Sequence, residues 1–545
     1  MGTLLQQSWG KLWADHKRTK KLFTYFFASH STTVQKADSK TSTKIDNKTK
    51  IPKRTRAQNI GLILGPVLFM IILFGLSPEG MSKEALAVLA STIWIAVWWI
   101  TEAIPIAATS LLPAILFPLT GAVEKPGAIT GAYAEDTIFL FLGGFIIAIA
   151  MEKWNLHKRI ALNIIAIVGT STERIILGFM LATAFISMWI SNTATAMMMM
   201  PIALAVITQV KDQSQVHGKA ELDPNFGKSN MLAVGYAASI GGLGTLIGTP
   251  PNTIFAGIVK QTYGIEITFA QWMSLGVPIV IILLLFLYFY LVKFAFPIKM
   301  KEIPGGREVI LQQKTALGEI SFEEKLVLCV FLLAAFSWIS RSFILEKINP
   351  GIDDTMVALV AGVLLFLLPS KKSDNGMLLN WNDAAKVPWG VLLLFGGGLA
   401  IAKGFTDTGL SEWIGKQFTV MQGINFVMLI AIITVFIILL SEVASNTAAA
   451  TMMYPIMASL AAAIHVHPFA LMVTAGLAAS CAFMLPVATP PNAIVFGTGY
   501  LKMSNMIKAG FWLNVASTIV IILSVYYLLP FIWGIDLHVY PESLK

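Results

Sequence analysis

The chain has 545 residues, of which 56% are hydrophobic and only 13% are charged. Soluble globular domains carry about 25% charged residues, so this composition excludes a water-soluble enzyme or binding module and predicts a membrane protein. The net charge of +9 lies in the N-terminal tail, which leaves the remainder of the chain close to neutral.

This basic tail comprises residues 1–56 and holds thirteen Lys and Arg against three Asp. Positive charge beside a first membrane span is the usual signal that retains this end in the cytoplasm. Nucleic-acid binding is the other explanation of a basic tail, and the membrane context disfavours it. We therefore expect a cytoplasmic N-terminus, a plasma-membrane location, a lipid bilayer as partner and no nucleic acid.

Eleven apolar segments follow the tail, and a membrane-spanning helix needs about 20 such residues. In chain order they lie near 60–76, 85–100, 104–119, 137–151, 231–258, 274–296, 325–342, 355–369, 389–403, 469–499 and 510–531. This pattern predicts an all-α polytopic membrane protein with about eleven transmembrane helices. Cys329 and Cys481 lie inside apolar segments, so we expect both thiols to pack in the core.

Two further apolar segments, about 174–209 and 424–464, are longer than one span and carry the tripeptide Ser-Asn-Thr near their middles. The copies occupy residues 191–193 and 445–447. A polar cluster in a membrane is costly unless protein or a watery cavity surrounds it. We therefore interpret both segments as re-entrant hairpins with polar tips.

Each Ser-Asn-Thr copy is followed by a Thr-Pro-Pro-Asn run, at residues 249–252 and 489–492. Two consecutive prolines lack amide donors and clash with the preceding turn, so the helix must unwind there. The carbonyls freed by unwinding, such as those of Gly248 and Ala488, are natural Na⁺ ligands together with Ser hydroxyls and the Asn side-chain oxygen.

The order of elements indicates a duplication. Residues 140–144 (LFLGG) resemble residues 393–397 (LLFGG), and a hairpin, a broken helix and a final span follow in each half. Without the first span each half has five spans, and an odd number places the halves in opposite orientations. We predict the first helix and first inverted repeat in residues 57–320, the second repeat in residues 321–545, and a substrate site at their interface.

The predicted tips suit an anion. Where a helix starts at a tip, its first amides are unpaired and carry the positive end of the helix dipole, an arrangement that binds anions. Asn192 and Asn446 add amide groups, while Thr193 and Thr447 add hydroxyls. Each Asn also offers its oxygen to a cation, so one residue can couple the two ligands.

At these residues the chain resembles the divalent anion:sodium symporter family, the INDY-type carriers of di- and tricarboxylates. The resemblance covers nearly everything from about Ile60 to Pro530 and includes the WWITEAIP segment at residues 98–105. It implies a homodimer in which a scaffold domain mediates dimerisation and a transport domain carries the hairpins by an elevator mechanism. The family includes both Na⁺ symporters and Na⁺-independent exchangers. We expect Na⁺ as the coupled ion, because every position matched to a Na⁺ site retains a side-chain or carbonyl oxygen, and we expect no organic cofactor.

The resemblance also implies roles for particular residues. A first Na⁺ site corresponds to Ser187, Ser191, Asn192 and Gly248, and a second to Ser441, Ala444, Asn446 and Ala488. Contacts to the substrate carboxylates correspond to Asn192, Thr193, Thr249, Pro250, Asn446, Thr447, Thr489 and Pro490.

Other functions fit the sequence less well than a dicarboxylate carrier. A channel needs a continuous pore with rings or filters, and a membrane enzyme needs a nucleophile–base pair or metal cluster; neither pattern occurs at the tips. ATP-driven transport lacks a P-loop motif. A Na⁺-independent dicarboxylate exchanger of the same fold stays open as an alternative to symport. For Glu442, cation or proton work and an interhelical hydrogen bond are both open.

Overall fold

The computed structural model describes residues 54–169, 171–216, 223–298, 306–373 and 375–544. Within these ranges the chain is helical apart from turns, connecting segments and isolated bridge residues, among them the antiparallel pair Pro369 and Met377. The predicted all-α fold is confirmed. Most of the basic tail, residues 1–53, lies outside the described residues, so the interpretation of residues 1–56 stays a prediction.

The first half of the chain contains the first hairpin, the first broken helix and the helices around them. In order they are α1 (Arg56–Gly75), α2 (Lys83–Thr101), α3 (Ile106–Thr109), α4 (Leu112–Leu119), α5 (Pro126–Thr130), α6 (Asp136–Lys153), α7 (Leu156–Val168), α8 (Thr172–Ser187), α9 (Asn192–Val216), α10 (Pro224–Gly242), α11 (Pro250–Tyr263), α12 (Phe269–Phe289) and α13 (Gly306–Ala316).

The second half repeats this order with different lengths. Its helices are α14 (Phe322–Ser340), α15 (Glu346–Ile348), α16 (Asp354–Leu367), α17 (Trp381–Ala384), α18 (Trp389–Asp407), α19 (Leu410–Phe418), α20 (Phe426–Val443), α21 (Asn446–Ala463), α22 (Pro468–Ala479), α23 (Pro490–Phe496), α24 (Met503–Leu523) and α25 (Leu529–Trp533). Both Ser-Asn-Thr copies lie where a second helix of a pair begins.

Eight helical segments in the described ranges are long and apolar enough to cross a membrane, and four shorter apolar helices accompany them. The predicted single span at 104–119 is wrong, because the chain there forms α3 and α4 with an interruption at Ser110 and Leu111. Pro113 explains the interruption, since it has no N–H for the carbonyl one turn earlier.

The prediction for Cys329 is also wrong: its side chain is exposed, whereas Cys481 is buried.

The segment around the second Ser-Asn-Thr copy reverses direction. The Gln422 side-chain amide, just before α20, donates a 2.8 Å hydrogen bond to the carbonyl of Ala463, the last residue of α21. Since α20 alone has 18 residues, these outer ends meet only if the two legs run antiparallel. The segment is therefore a helical hairpin; in the first copy, α8 and α9 likewise contact each other.

The two broken helices unwind before their proline pairs, between α10 and α11 and between α22 and α23. An asparagine closes each break. The Asn252 side-chain nitrogen donates to the carbonyls of Gly242, Leu243 and Thr245. Asn492 donates in the same way to Ala482 and Leu485. Each side-chain amide donates hydrogen bonds to backbone carbonyls that lost their helical partners when the helix unwound. These bonds reduce the energetic cost of the break.

A charged contact holds α6 against the segment before α18. The Lys153 ammonium lies 2.7 Å from the Asp383 carboxylate and also donates to the Leu378 carbonyl. Burial of the Asp383 carboxyl opposes ionisation, yet the Lys153 ammonium and the Asn380 amide hold its pKa below the ordinary value. This pair joins the two halves at one end of the molecule.

Candidate functional site

A single cavity of about 1030 Å³ lies between the two hairpin tips and the two broken helices. The predicted residues that line it are Ser191, Asn192, Thr193, Gly248, Thr249, Pro250, Ala444, Asn446, Thr447, Ala488, Thr489 and Pro490. Residues separated by up to about 300 positions along the chain thus share one space. The fold brings the two copies of each motif together, as the duplication predicts.

Ser187 and Ser441 do not line the cavity, because both are fully buried behind the tips. Each serine instead holds its tip in place. The Ser187 hydroxyl contacts the Asn192 side-chain oxygen at 2.6 Å and the Ala238 carbonyl at 2.6 Å. Each tip asparagine is thereby fixed to the preceding helix and to the helix that breaks.

Four oxygens converge at the first tip. The Asn192 side-chain oxygen lies 2.6 Å from Ser187 Oγ, 3.0 Å from the Ala238 carbonyl oxygen and 3.3 Å from the Gly248 carbonyl oxygen. Two arrangements satisfy this cluster: rotation of the amide, which turns its nitrogen toward the acceptors, or a cation held between the oxygens. Hydroxyl, amide and carbonyl oxygens are ligands of the kind that bind Na⁺ at unwound helices.

The second tip has the same construction. The Ser441 hydroxyl lies 3.0 Å from the Asn446 side-chain oxygen and 2.6 Å from the Ala479 carbonyl. Ala479 precedes the second break as Ala238 lies before the first, and Ala488 corresponds to Gly248 next to the Thr-Pro-Pro-Asn run. The contacts from the serine to the tip asparagine and from the serine to a backbone carbonyl therefore recur at both tips.

The cavity is suited to an anion without a cationic side chain. Its lining, taken over the described residues, includes no Lys, Arg or His. Helices α9 and α21 begin at Asn192 and Asn446, so the positive ends of two helix dipoles face this space, equivalent to roughly half an elementary charge each. Thr193 and Thr447, the next residue of each helix, place a hydroxyl beside these amides.

Contacts across the halves were not predicted from the sequence. The hydroxyl of Tyr454, on α21, donates a 2.7 Å hydrogen bond to the carbonyl of Pro251 in the first Thr-Pro-Pro-Asn run. Tyr454 is fully buried. No sequence signal identifies this contact, because Tyr454 lies in an apolar helix 203 positions from its partner.

Glu442 is nearly fully buried, with 4% of its surface exposed. Its carboxylate accepts hydrogen bonds from the backbone N–H groups of Met484 and Leu485, at 2.8 and 2.9 Å, and from the Asn514 side-chain amide at 2.8 Å. Of the two interpretations left open by the sequence, the hydrogen-bonding one is observed. The bonds run from the hairpin leg to the break of the second broken helix and to α24.

Apolar side chains complete the cavity wall. Phe141, Phe145, Val391 and Val487 line it, and Val487 is 81% exposed although it lies in the break of the second broken helix. Glu102 lines the cavity near Gln58 with its backbone in the left-handed region, at φ 48°. Of these residues, the sequence analysis singled out the segments of two: Phe141 lies in the repeated segment 140–144, and Glu102 lies in the WWITEAIP segment.

Comparisons with known proteins give one family and close relatives. Residues 56–534 match the model of the sodium:sulfate symporter transmembrane region. A sodium-dependent dicarboxylate transporter, SdcS, of Staphylococcus saprophyticus is 51% identical over 482 residues, covering 88% of this chain and 93% of that protein. The protein of the same name in Staphylococcus aureus is 48% identical over 491 residues, covering 90% and 94%.

Solved structures of similar fold are much more distant in sequence. The Alcanivorax borkumensis YdaH transporter has a TM-score of 0.52 at 13% identity and covers 82% of this chain and 98% of that chain. Neisseria gonorrhoeae MtrF has a TM-score of 0.54 at 13% identity and covers 86% and 95%. At this level of identity the likeness concerns the fold alone.

Proposed function

Because the chain belongs to the divalent anion:sodium symporter family, whose transmembrane region spans residues 56–534, we propose that it carries small dicarboxylates across the plasma membrane by Na⁺-coupled symport. The chain is a multi-pass membrane transport protein rather than an enzyme. The substrate class is that of succinate, malate, fumarate and 2-oxoglutarate.

The observation that carries this proposal is the single cavity lined by both Ser-Asn-Thr tips. A dicarboxylate has two anionic ends, and the cavity offers two helix N-termini with flanking hydroxyls and amides. The family description includes sulfate, which carries its charge on one compact tetrahedral group, whereas a dicarboxylate carries a charged group at each end. The two-headed site therefore favours a dicarboxylate, as the names of the relatives do.

Na⁺ coupling is supported by the oxygen clusters. We assign the first Na⁺ site to Ser187, Ser191, Asn192 and the Gly248 carbonyl, and the second to Ser441, the Ala444 carbonyl, Asn446 and the Ala488 carbonyl. With no cationic side chain in the cavity lining, Na⁺ supplies the positive charge that a bound dianion requires. The exchanger alternative is disfavoured, since the relatives are named sodium-dependent.

The proposed oligomeric state, repeat boundaries and orientation follow the family resemblance. The protein is proposed to be a homodimer in which the parts carrying the hairpins move as a unit against a scaffold. The first inverted repeat occupies residues 57–320 and the second residues 321–545. The N-terminus is placed in the cytoplasm, in agreement with the Lys and Arg distribution.

Uptake of radiolabelled succinate into proteoliposomes tests the proposal. An inward Na⁺ gradient should drive accumulation, and replacement of Na⁺ by K⁺ should abolish it. Unlabelled fumarate should compete, whereas sulfate should compete weakly. Uptake that ignores Na⁺ but is accelerated by dicarboxylate preloaded inside the vesicles would establish the exchanger and refute symport.

Orientation needs a separate experiment. In a variant whose exposed Cys329 is replaced by Ser, single cysteines at Lys158 and Lys371 should be protected from an impermeant thiol reagent applied outside intact cells. A cysteine at Lys347 should react. Labelling of the first two positions in intact cells would contradict the proposed orientation.

A further inference from the structure

The two halves of the site differ at one set of equivalent positions. Met188 and Glu442 each follow the serine that holds the tip, and Thr245 and Leu485 each lie four residues before the Thr-Pro-Pro-Asn run. Val280 and Asn514 also correspond, because each lies four residues after a glycine packed against its break, Gly276 and Gly510. The first set is uncharged, and the second contains a buried carboxylate with an amide partner.

Both sets perform the same mechanical task. In the first half the Thr245 hydroxyl donates to the Met188 carbonyl and accepts from the Gly248 amide at 3.0 Å. The end of the hairpin leg is thus tied to the break by a neutral group. In the second half the Glu442 carboxylate makes this tie through the Met484 and Leu485 amides.

The Glu442 side chain is an acceptor in every contact that the structure gives it. Three donors directed at one carboxyl group match the ionised form, which only accepts hydrogen bonds. These donors are uncharged, so they stabilise the negative charge without cancelling it. In the first half, Met188 supplies no charge at the corresponding position.

The charge lies close to the proposed second Na⁺ site. Glu442 is adjacent in sequence to Ser441, and Leu485, which binds its carboxylate, lies three residues before Ala488. These connections keep the carboxylate within roughly 10 Å of the site. At such a distance a unit charge in a protein with an effective dielectric constant near 20 changes cation affinity by about tenfold or more.

We propose that Glu442 is a positioning residue whose charge makes the second Na⁺ site the stronger of the two, so that this half of the site is ordered first. The inference rests on the Na⁺ coupling proposed above. The duplicated motifs alone predict two Na⁺ sites of equal affinity, and the charge of Glu442 makes their affinities differ. The carboxylate contributes by holding the break in place and by its field, and it contacts neither Na⁺ nor substrate.

The test compares Glu442→Gln with Asn514→Val in proteoliposomes. Glu442→Gln removes the charge at almost constant size and should raise the Na⁺ concentration for half-maximal succinate uptake by about tenfold. The succinate KM measured at saturating Na⁺ should stay within about threefold. Asn514→Val removes one donor, keeps the carboxylate and installs the residue type of the first half, so its Na⁺ dependence should stay within about threefold of wild type.

A packing role alone would shift the succinate KM and the Na⁺ dependence together, and it would affect both variants equally. An unchanged Na⁺ dependence in Glu442→Gln, or equal shifts in both variants, overturns the proposal. If Glu442→Gln fails to fold, Ser441→Ala and Ser187→Ala decide the question by Na⁺-induced thermal stabilisation of purified protein. Ser441→Ala should lose the thermal stabilisation that wild type shows at low Na⁺ concentration. Ser187→Ala should lose only the additional stabilisation at high Na⁺ concentration. Equal losses in the two variants overturn the proposal.

Uptake by the wild type distinguishes failure of the role of Glu442 from failure of Na⁺ symport itself. If wild-type uptake itself ignores Na⁺, symport and the inequality of the two sites are both overturned. If the wild type depends on Na⁺ and Glu442→Gln responds to Na⁺ in the same way, only the role of Glu442 is lost.

Discussion

The Tyr454 hydroxyl donates a 2.7 Å hydrogen bond to the Pro251 carbonyl and so joins the second hairpin to the first broken helix. Pro251 is the second residue of α11, and its carbonyl accepts this bond from the other half in addition to its place in the helical ladder. The two halves of the cavity are therefore connected by a direct polar contact.

Tyr454→Phe should weaken substrate binding and stability together. The variant removes one buried hydrogen bond while the Pro251 carbonyl keeps its place in the helical ladder, which costs about 0.5–1.5 kcal/mol of unfolding free energy. We expect a lower apparent Tm and a several-fold higher succinate KM. Tyr527→Phe is the control, because Tyr527 is 66% exposed and should behave as wild type. Equal values for Tyr454→Phe and wild type would show that the contact contributes nothing.

Thr193→Ala and Thr447→Ala should each raise the succinate KM by about 5–150-fold, since loss of a charge-assisted hydrogen bond to a buried carboxylate costs about 1–3 kcal/mol. Thr193→Ser and Thr447→Ser keep the hydroxyl and should restore most of the affinity. A large effect in one alanine variant with none in the other would mean that only one tip meets a carboxylate.

Gly510 and Gly276 permit close packing against the two breaks. A Cβ at Gly510 would collide with the Phe483 carbonyl, and one at Gly276 with the Leu243 carbonyl. Backbone cannot yield as a flexible side chain does, so Gly510→Ala and Gly276→Ala should each destabilise the protein by about 1–3 kcal/mol. Gly127→Ala, where nothing lies within 4 Å, is the control for thermal unfolding.

The Lys153–Asp383 pair should make a stability contribution that depends on pH. A depressed folded-state pKa stabilises the native state above the unfolded value, about 3.9 for Asp, and this contribution is lost as pH falls through the folded pKa. Asp383→Asn should therefore reduce the free energy of unfolding at pH 7 by about 0.5–1 kcal/mol, which is measured as a lower apparent Tm. The difference in Tm between wild type and variant should shrink as the pH falls below about 4.

Asp407→Asn, which removes an exposed partner of Lys403, should change little at either pH. A gap between wild type and Asp383→Asn that persists unchanged in acid would contradict the assignment of the stabilisation to the ionised carboxylate.

Apolar length and the proline pairs predicted most of the long apolar helices and both breaks, whereas α7 and α19 lie outside every predicted segment. The hairpin legs at 172–187 and 426–443 begin within two residues of the predicted segments, because lipid exposure demands long apolar runs and polar tips interrupt them. The duplicated motifs also predicted that residues far apart in sequence share one cavity, since inverted repeats place equivalent elements around a common interface.

Contacts that depend on packing were not predictable. Tyr454 and Asn514 look like ordinary residues of apolar helices, and only the fold shows that they face Pro251 and Glu442. The interruption at Ser110 was missed because a proline near the start of a helix is well tolerated, so Pro113 alone does not distinguish one long helix from two short ones. Cys329 was misplaced because an apolar helix facing lipid has the same composition as one in the core.

The most demanding prediction concerns the asparagines of the tips. The Asn192 and Asn446 side-chain amides each contact the serine that belongs to a proposed Na⁺ site, while both residues line the cavity proposed to hold the substrate. One side chain therefore serves both ligands. By thermodynamic reciprocity, Na⁺ should raise substrate affinity and substrate should raise Na⁺ affinity by the same factor, typically about 5–150-fold.

Asn192→Ala and Asn446→Ala should accordingly each lose succinate uptake together with the part of the Na⁺-induced thermal stabilisation that its own Na⁺ site contributes, since each change removes an oxygen from the cation and an amide from the anion. Asn349→Ala, at an exposed turn where the side chain only contacts Gly351, controls for the loss of an asparagine. Equilibrium binding of succinate measured at several Na⁺ concentrations supplies the coupling factor in the wild type. If either cavity variant loses succinate binding while its Na⁺-dependent stabilisation stays intact, that asparagine holds the anion alone, and coupling must pass through another residue.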